Sequence, residues 1–285
     1  MPKPGIAEWR TEAARDRFIE MEDELWLERW PDPPAALDVD SYAGTTRVYR
    51  WPGTGEPIVF LHGMGGTGLT WSAYVERLAG REMYAIDTIG DVGHSRQRMV
   101  IEDAAGLARW LDETLTGAGI ERAHLVGTSY GGYLALNLGV RVPERVASLT
   151  LIDSGGLAPV RLGRFLLWGL PMLLGAVAPA PIRRRLARRR PMLEDSRIMR
   201  MALHAQMNHP FKLPGPAPVT DDELRSVTAP TVVIVAERSA PFASRVQVER
   251  AGLIPNADID VIRGASHEVS WTHVDRCVAR MERCR

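Results

Sequence analysis

The sequence predicts an α/β fold: a mostly parallel central sheet flanked by helices, with a helical cap inserted in its second half. Three observations carry that prediction. Short continuous apolar runs, bounded by turn residues, alternate with segments of helical periodicity. Two glycine-rich turns, HGMGG at 62–66 and GTSYGG at 127–132, each follow directly on such a run. More than 70 residues with no obvious strand separate the run ending at Asp153 from the one beginning at Thr231.

The elements follow in chain order. Ile6 to Trp30 has helical periodicity, with Phe18, Leu25 and Trp26 among its apolar positions, and PDPP at 31–34 ends it. Residues 1–35 therefore read as an N-terminal helical extension, able to cover the core or a neighbouring subunit; the pattern sets no oligomeric state. Strands are predicted at Arg47–Trp51, Ile58–Leu61, Met83–Asp87, Ala123–Gly127, Ser148–Asp153, Thr231–Ala236 and Ile259–Ile262. Helices are predicted at about 70–79, 102–118 and 131–141, and from about Val274 onwards. Apolar runs of this kind suit strands buried on both faces, joined by right-handed crossovers. A structureless loop longer than 70 residues would be unusual, so 156–225 reads as a helical cap above the C-terminal edge of the sheet, where ligands bind in open α/β folds. Residues 36–155 and 226–285 make up the core.

Composition narrows the function. The chain has 285 residues, 45% hydrophobic and 25% charged, enough to bury a sizeable core. Formal net charge is zero, so no global field would draw nucleic acid or an anionic membrane. The cations are almost all Arg, with Lys only at 3 and 212. Phe165 to Ile182 is uncharged over 18 residues and RRRLARRR follows at 183–190, but Pro171, Pro179 and Pro181 break the stretch. It reads as broken helices over an apolar pocket rather than a stable membrane insertion. The N-terminus has no apolar signal core, which predicts a cytoplasmic protein. Cys277 and Cys284 lie seven residues apart, roughly 10 Å on a helix, too far for a disulfide. No Cys/His spacing resembles a metal ligand set and no loop resembles a nucleotide cradle, so neither metal nor cofactor is expected.

The chemistry-bearing residues cluster at turns. Gly127-Thr128-Ser129-Tyr130-Gly131 sits between a strand and a helix. A tight strand-to-helix turn would hold the serine out at the sheet edge, and neighbours two residues away must then lose their side chains, as Gly127 and Gly131 do. The helix N-terminus beside the serine favours developing negative charge. In HGMGG, Gly63 frees the loop to aim a backbone N–H at an oxyanion; Met64 and Tyr130 are the expected donors. His62 reads chiefly as a loop-fixing residue and otherwise as a pocket residue. Gly264-Ala265-Ser266-His267 follows the last strand, and His267 is the best-placed base for a serine that cannot ionise unaided. His124 reads as a core residue; His94 and the cap residues His204 and His209 could touch substrate.

Together these motifs resemble the α/β-hydrolase superfamily, in its branch of capped esterases and C–C hydrolases, over nearly the whole chain from about residue 40. Asp87-Thr88-Ile89-Gly90-Asp91-Val92-Gly93-His94-Ser95 is similar to the family's D-x-x-G-x-G-x-S loop with one extra residue, and Pro143-Glu144-Arg145-Val146 to its P-E-R-V. The resemblance implies the order nucleophile, acid, histidine. The family's usual acid position, however, holds Ser239 in VAERSAP, and a neutral hydroxyl cannot stabilise an imidazolium by charge. Asp153, in LIDSGG, is the favoured substitute because some members carry their acid there. Glu237 is the alternative, Glu268 is badly placed to fold back on His267, and a site without a working acid stays open. A serine at 129 disfavours dehalogenation and epoxide hydrolysis. The resemblance thus implies a serine hydrolase cleaving a carboxylic ester of a small to medium apolar substrate. Trp168 and Met172 are candidate pocket residues within the cap's apolar stretch. A non-hydrolytic lyase or cyclase and a weakly catalytic binding protein are the other readings.

Overall fold

The computed structural model describes residues 3–30, 33–167 and 195–284, with scattered positions between 169 and 184. Nine strands form one sheet: β1 (Ala35–Ser41), β2 (Gly44–Trp51), β3 (Thr54–Leu61), β4 (Arg81–Ile86), β5 (Arg96–Gln97), β6 (Ala123–Thr128), β7 (Val146–Ile152), β8 (Thr231–Ala236) and β9 (Ala257–Ile262). Their order is β1-β2-β4-β3-β6-β7-β8-β9, with β5 paired to β2 off this path. β2 runs antiparallel to β1 and β4; from β4 across to β9 every pairing is parallel.

The apolar runs are continuous because both sheet faces are covered. In β3, Val59 and Leu61 join one core cluster while Ile58 and Phe60 join the other. In β8, Val233 and Val235 divide from Val232 and Ile234 in the same way. The period-two alternation of a strand sends successive side chains to opposite layers. One layer contains α3 (Ala104–Gly117) and α4 (Tyr130–Arg141); the other contains α2 (Ser72–Arg77) and the C-terminal α9 (Val274–Met281). β1 and β5 were not foreseen. β1 reads AALDVDS and buries only Val39, so an edge strand of this kind has no apolar run to betray it.

The N-terminal α1 (Glu12–Arg29) lies on this chain's own core. Trp26 stacks on Tyr49 with ring centroids 4.4 Å apart, and Thr11 caps the helix by accepting from the Ala14 N–H. On its other side α1 packs against α5 (Ser196–Asn208), with Phe18, Leu25, Met201 and Ala205 forming a small cluster around Val92. Glu28 pairs with Arg197, and His204 Nε2–H donates to the Ala14 carbonyl over 2.6 Å. Among the described residues between β7 and β8 there is no strand. α6 (Asp221–Ser226) carries a full capping box at Thr220 and Glu223. Leu213, Val219 and Leu224 belong to the main core cluster. Trp168, Met172 and most of the apolar and arginine-rich stretch lie outside the described residues. Among the described residues no helix is long and apolar enough to cross a membrane.

Candidate active site

Ser129 stands between the end of β6 and the first residue of α4, with φ of 52° and ψ of −112°. A non-glycine residue at positive φ costs on the order of 1–3 kcal/mol and persists only where its surroundings over-determine it. Here they do. The Ser129 N–H donates to the Ile152 carbonyl over 3.1 Å, and its carbonyl accepts from Gly155 and Tyr133 at 2.9 and 3.2 Å. The glycines leave no room for side chains: a methyl on Gly127 would stand 2.3 Å from the Gly131 carbonyl oxygen, and one on Gly131 would stand 2.0 Å from that of Leu61. The turn is therefore a close approach of strand, helix and the β3 end.

His267 comes from the loop between β9 and the short α8 (Val269–Thr272). Its Nε2 lies 3.0 Å from Ser129 Oγ and its Nδ1 2.6 Å from Asp153 Oδ2. A carboxylate only accepts, so Nδ1 carries the proton and Nε2 is left to accept from the serine hydroxyl. The Phe242 ring stands edge-on to the imidazole at 5.7 Å.

Asp153 directly follows β7 and is fully buried, with φ of 40°. Its N–H donates to the Ile234 carbonyl over 2.7 Å, which fixes the residue to β8. Oδ2 also accepts from Ser239 Oγ at 2.6 Å, while Oδ1 has the Ala236 N–H at 3.4 Å. Of the candidate acids, Asp153 is thus the one facing His267. Glu237 does not reach it: its carboxylate accepts from the Gly264 N–H at 2.7 Å and ties the β8 turn to the β9 turn.

The HGMGG loop lies against the serine. A methyl on Gly63 would meet Ser129 Cβ at 3.3 Å, and Gly66 N–H closes the turn on the Gly63 carbonyl at 3.0 Å. Met64 sits at the tip of that turn, partly exposed. Tyr130 is the first residue of α4, so its N–H has no intrahelical acceptor. His62 is fully buried; its Nδ1–H donates to the Gly63 carbonyl over 2.8 Å and its Nε2 accepts from the Thr88 N–H at 2.9 Å. Burial pushes its pKa down to about 4, so it is a neutral strut between β3 and β4. Asp91 supports the same loop, accepting from Gly65 and Val92 N–H groups at 2.9 and 2.8 Å, and burial raises its carboxyl to about 7.

The remaining histidines lie away from this cluster. His124 is buried between Ser148 and Thr150, His94 reaches Asp23 on α1 at 3.2 Å, and His209 packs on Trp9. The sequence did not reveal Asp91 or Ser239 as partners. Asp91 had a signal, an acid inside a glycine-rich loop; Ser239 had only its position in the turn after β8. Among the described residues no group of three His, Cys, Asp or Glu is arranged to hold a metal.

Comparison with known proteins gives the frame for this geometry. Residues 58–280 match the alpha/beta hydrolase family. The chain belongs to that family. Two relatives of this α/β hydrolase in Bacillus subtilis are an uncharacterized carboxylesterase called nap, 26% identical over 276 residues, and carboxylesterase YbfK, 26% identical over 263 residues. Each alignment takes in 89% of this chain and 88% of the relative. The fold is also that of the crystal structure of naproxen esterase from Bacillus subtilis, with a TM-score of 0.81, 23% identity and 95% and 97% of the two chains covered.

Proposed function

We propose that this α/β hydrolase is a serine carboxylesterase, with Ser129 as nucleophile, His267 as general base and then acid, and Asp153 as the group that orients His267. One observation carries the reading: the hydrogen-bonded line from Ser129 Oγ through His267 to Asp153, at 3.0 and 2.6 Å, starting from a serine held at positive φ. The two carboxylesterase relatives, matched over most of their length, support ester hydrolysis as the activity.

The steps follow from the proton inventory. Ser129 Oγ attacks the acyl carbon while its proton passes to His267 Nε2. Asp153, already bonded to Nδ1–H, stabilises the imidazolium without taking its proton. The carbonyl oxygen becomes an oxyanion held by the N–H groups of Met64 and Tyr130, with the α4 N-terminus adding its partial positive charge. His267 then protonates the leaving alkoxide, and an acyl ester remains on Ser129. Water, deprotonated by the same Nε2, releases the acid. An apolar acyl group of small to medium size suits the Phe242 ring beside His267 and the exposed Met64 in the loop whose Gly63 lies against Ser129.

The non-hydrolytic reading rests on the missing acid at position 239; the Asp153 carboxylate 2.6 Å from His267 Nδ1 supports the hydrolytic one. The binding-protein reading has no use for a serine held in a strained conformation. The test is hydrolysis of p-nitrophenyl esters of increasing acyl length, with fluorophosphonate labelling in parallel. Wild type is expected to turn over short and medium esters and to label, and Ser129→Ala to do neither. Labelling of Ser129 without turnover of any ester would sink the esterase reading; no labelling of a folded wild type would sink the nucleophile assignment.

A further inference from the structure

Ser239 stands in the turn after β8, buried, with its backbone N–H bonded to the Ala236 carbonyl at 3.1 Å. Its hydroxyl donates to Asp153 Oδ2 over 2.6 Å, and Asp153 Oδ2 is also the acceptor for His267 Nδ1–H at 2.6 Å. Among the described residues the other carboxylate oxygen has only the Ala236 N–H, at 3.4 Å. Without Ser239, the oxygen that faces the histidine would lose one of its two short hydrogen bonds. The carboxylate would then be held less firmly about its Cβ–Cγ bond, a soft torsion for Asp.

We infer that Ser239 is a positioning residue for the proposed reaction: it fixes the rotation of the Asp153 carboxylate and shares the negative charge on the oxygen that faces His267. This rests on the Ser129–His267–Asp153 reading above. Two consequences follow from the geometry. Loss of the hydroxyl leaves Oδ2 aimed at Nδ1 for less of the time, which slows the proton transfer steps without touching the acyl-binding surface. Loss of the donor also removes a charge-assisted hydrogen bond from the buried carboxylate. A merely space-filling serine would produce neither effect.

The measurement is kcat and KM on p-nitrophenyl butyrate, with unfolding midpoints, for Ser239→Ala, Ser239→Thr, Ser239→Cys and Asp153→Asn. Ser239→Ala is expected to lose about tenfold in kcat at unchanged KM, the size of effect one charge-assisted hydrogen bond supports. Ser239→Thr keeps the hydroxyl and should return the rate most of the way to wild type. Ser239→Cys, of similar volume but a weak donor, should fall between Ala and wild type and serves if the alanine variant does not fold. The inference is overturned if folded Ser239→Ala matches wild type in kcat. It is equally overturned if kcat drops with KM rising in step or with no rescue by threonine, which is the signature of packing alone. If Asp153→Asn keeps wild-type activity, the triad reading fails and the inference with it. If Asp153→Asn is crippled and Ser239→Ala is not, only the role of Ser239 fails.

Discussion

Replacing Asp153 by Asn removes one charge and little volume, and the consequence can be worked from the contacts. Oδ2 accepts two short hydrogen bonds, from His267 and Ser239, in a fully buried position. The amide can satisfy both only by placing its oxygen there, which turns its NH2 toward the Ala236 N–H, donor against donor. In the opposite orientation the NH2 faces Nδ1, which must then accept; the ring proton moves to Nε2 and the base facing Ser129 is lost. In both orientations the imidazolium loses its counter-charge. Two unit charges about 4 Å apart at an effective dielectric near 20 interact by about 4 kcal/mol. That corresponds to about 10³ in rate, and the wrong tautomer raises the loss toward about 10⁴. The assay is kcat for p-nitrophenyl butyrate beside the rate of fluorophosphonate labelling, with a thermal melt to show that the variant is folded. Both rates should fall together, since both need the same base. A folded Asp153→Asn protein within tenfold of wild type would refute the assignment of Asp153 and the electrostatic argument behind it.

Other outcomes follow from the same contacts. Gly131→Ala places a methyl 2.0 Å from the Leu61 carbonyl oxygen and should lower the unfolding midpoint severely or prevent folding. Gly163→Ala, whose methyl would meet nothing within 4 Å among the described residues, is the control and should melt like wild type. His62→Ala leaves the Thr88 N–H without its acceptor and should cost about 1–3 kcal/mol in chemical denaturation, with a partial loss of kcat as the loop loosens; His267→Ala should lose nearly all turnover. Burial raises the carboxyls of Asp87 and Asp91 to about 6 and about 7. Their folded-state affinities for protons exceed the unfolded ones, so their contribution to stability is full below about pH 4 and lost as pH rises through 6 to 7. The melting temperature should therefore gain a downward slope between about pH 4 and 7 from these groups, and Asp87→Asn should flatten that slope; an unchanged slope would count against these buried carboxyls as its source.

The legible parts of this protein are those set by neighbours in sequence. Strands buried on both faces announced themselves as apolar runs, since every position faces a covering layer. The serine turn was legible because a strand that reverses into a helix within one residue leaves no room for Cβ at Gly127 or Gly131, and that requirement is written in adjacent letters. The HGMGG loop and the histidine after the last strand were legible for the same local reason. β1 was not, because an edge strand that buries one side chain shows no periodicity. The acid was not settled either: Asp153 and His267 are 114 positions apart, and Ser239 is 86 from Asp153. What brings them together is the parallel pairing of β7 with β8 and of β8 with β9, which sets three loop starts side by side at one sheet edge. The chain thus determined by itself which chemistry it carries, while the carboxylate that faces the histidine, the serine that holds it and the neutral role of His62 depend on long-range register and burial, which only the folded sheet supplies.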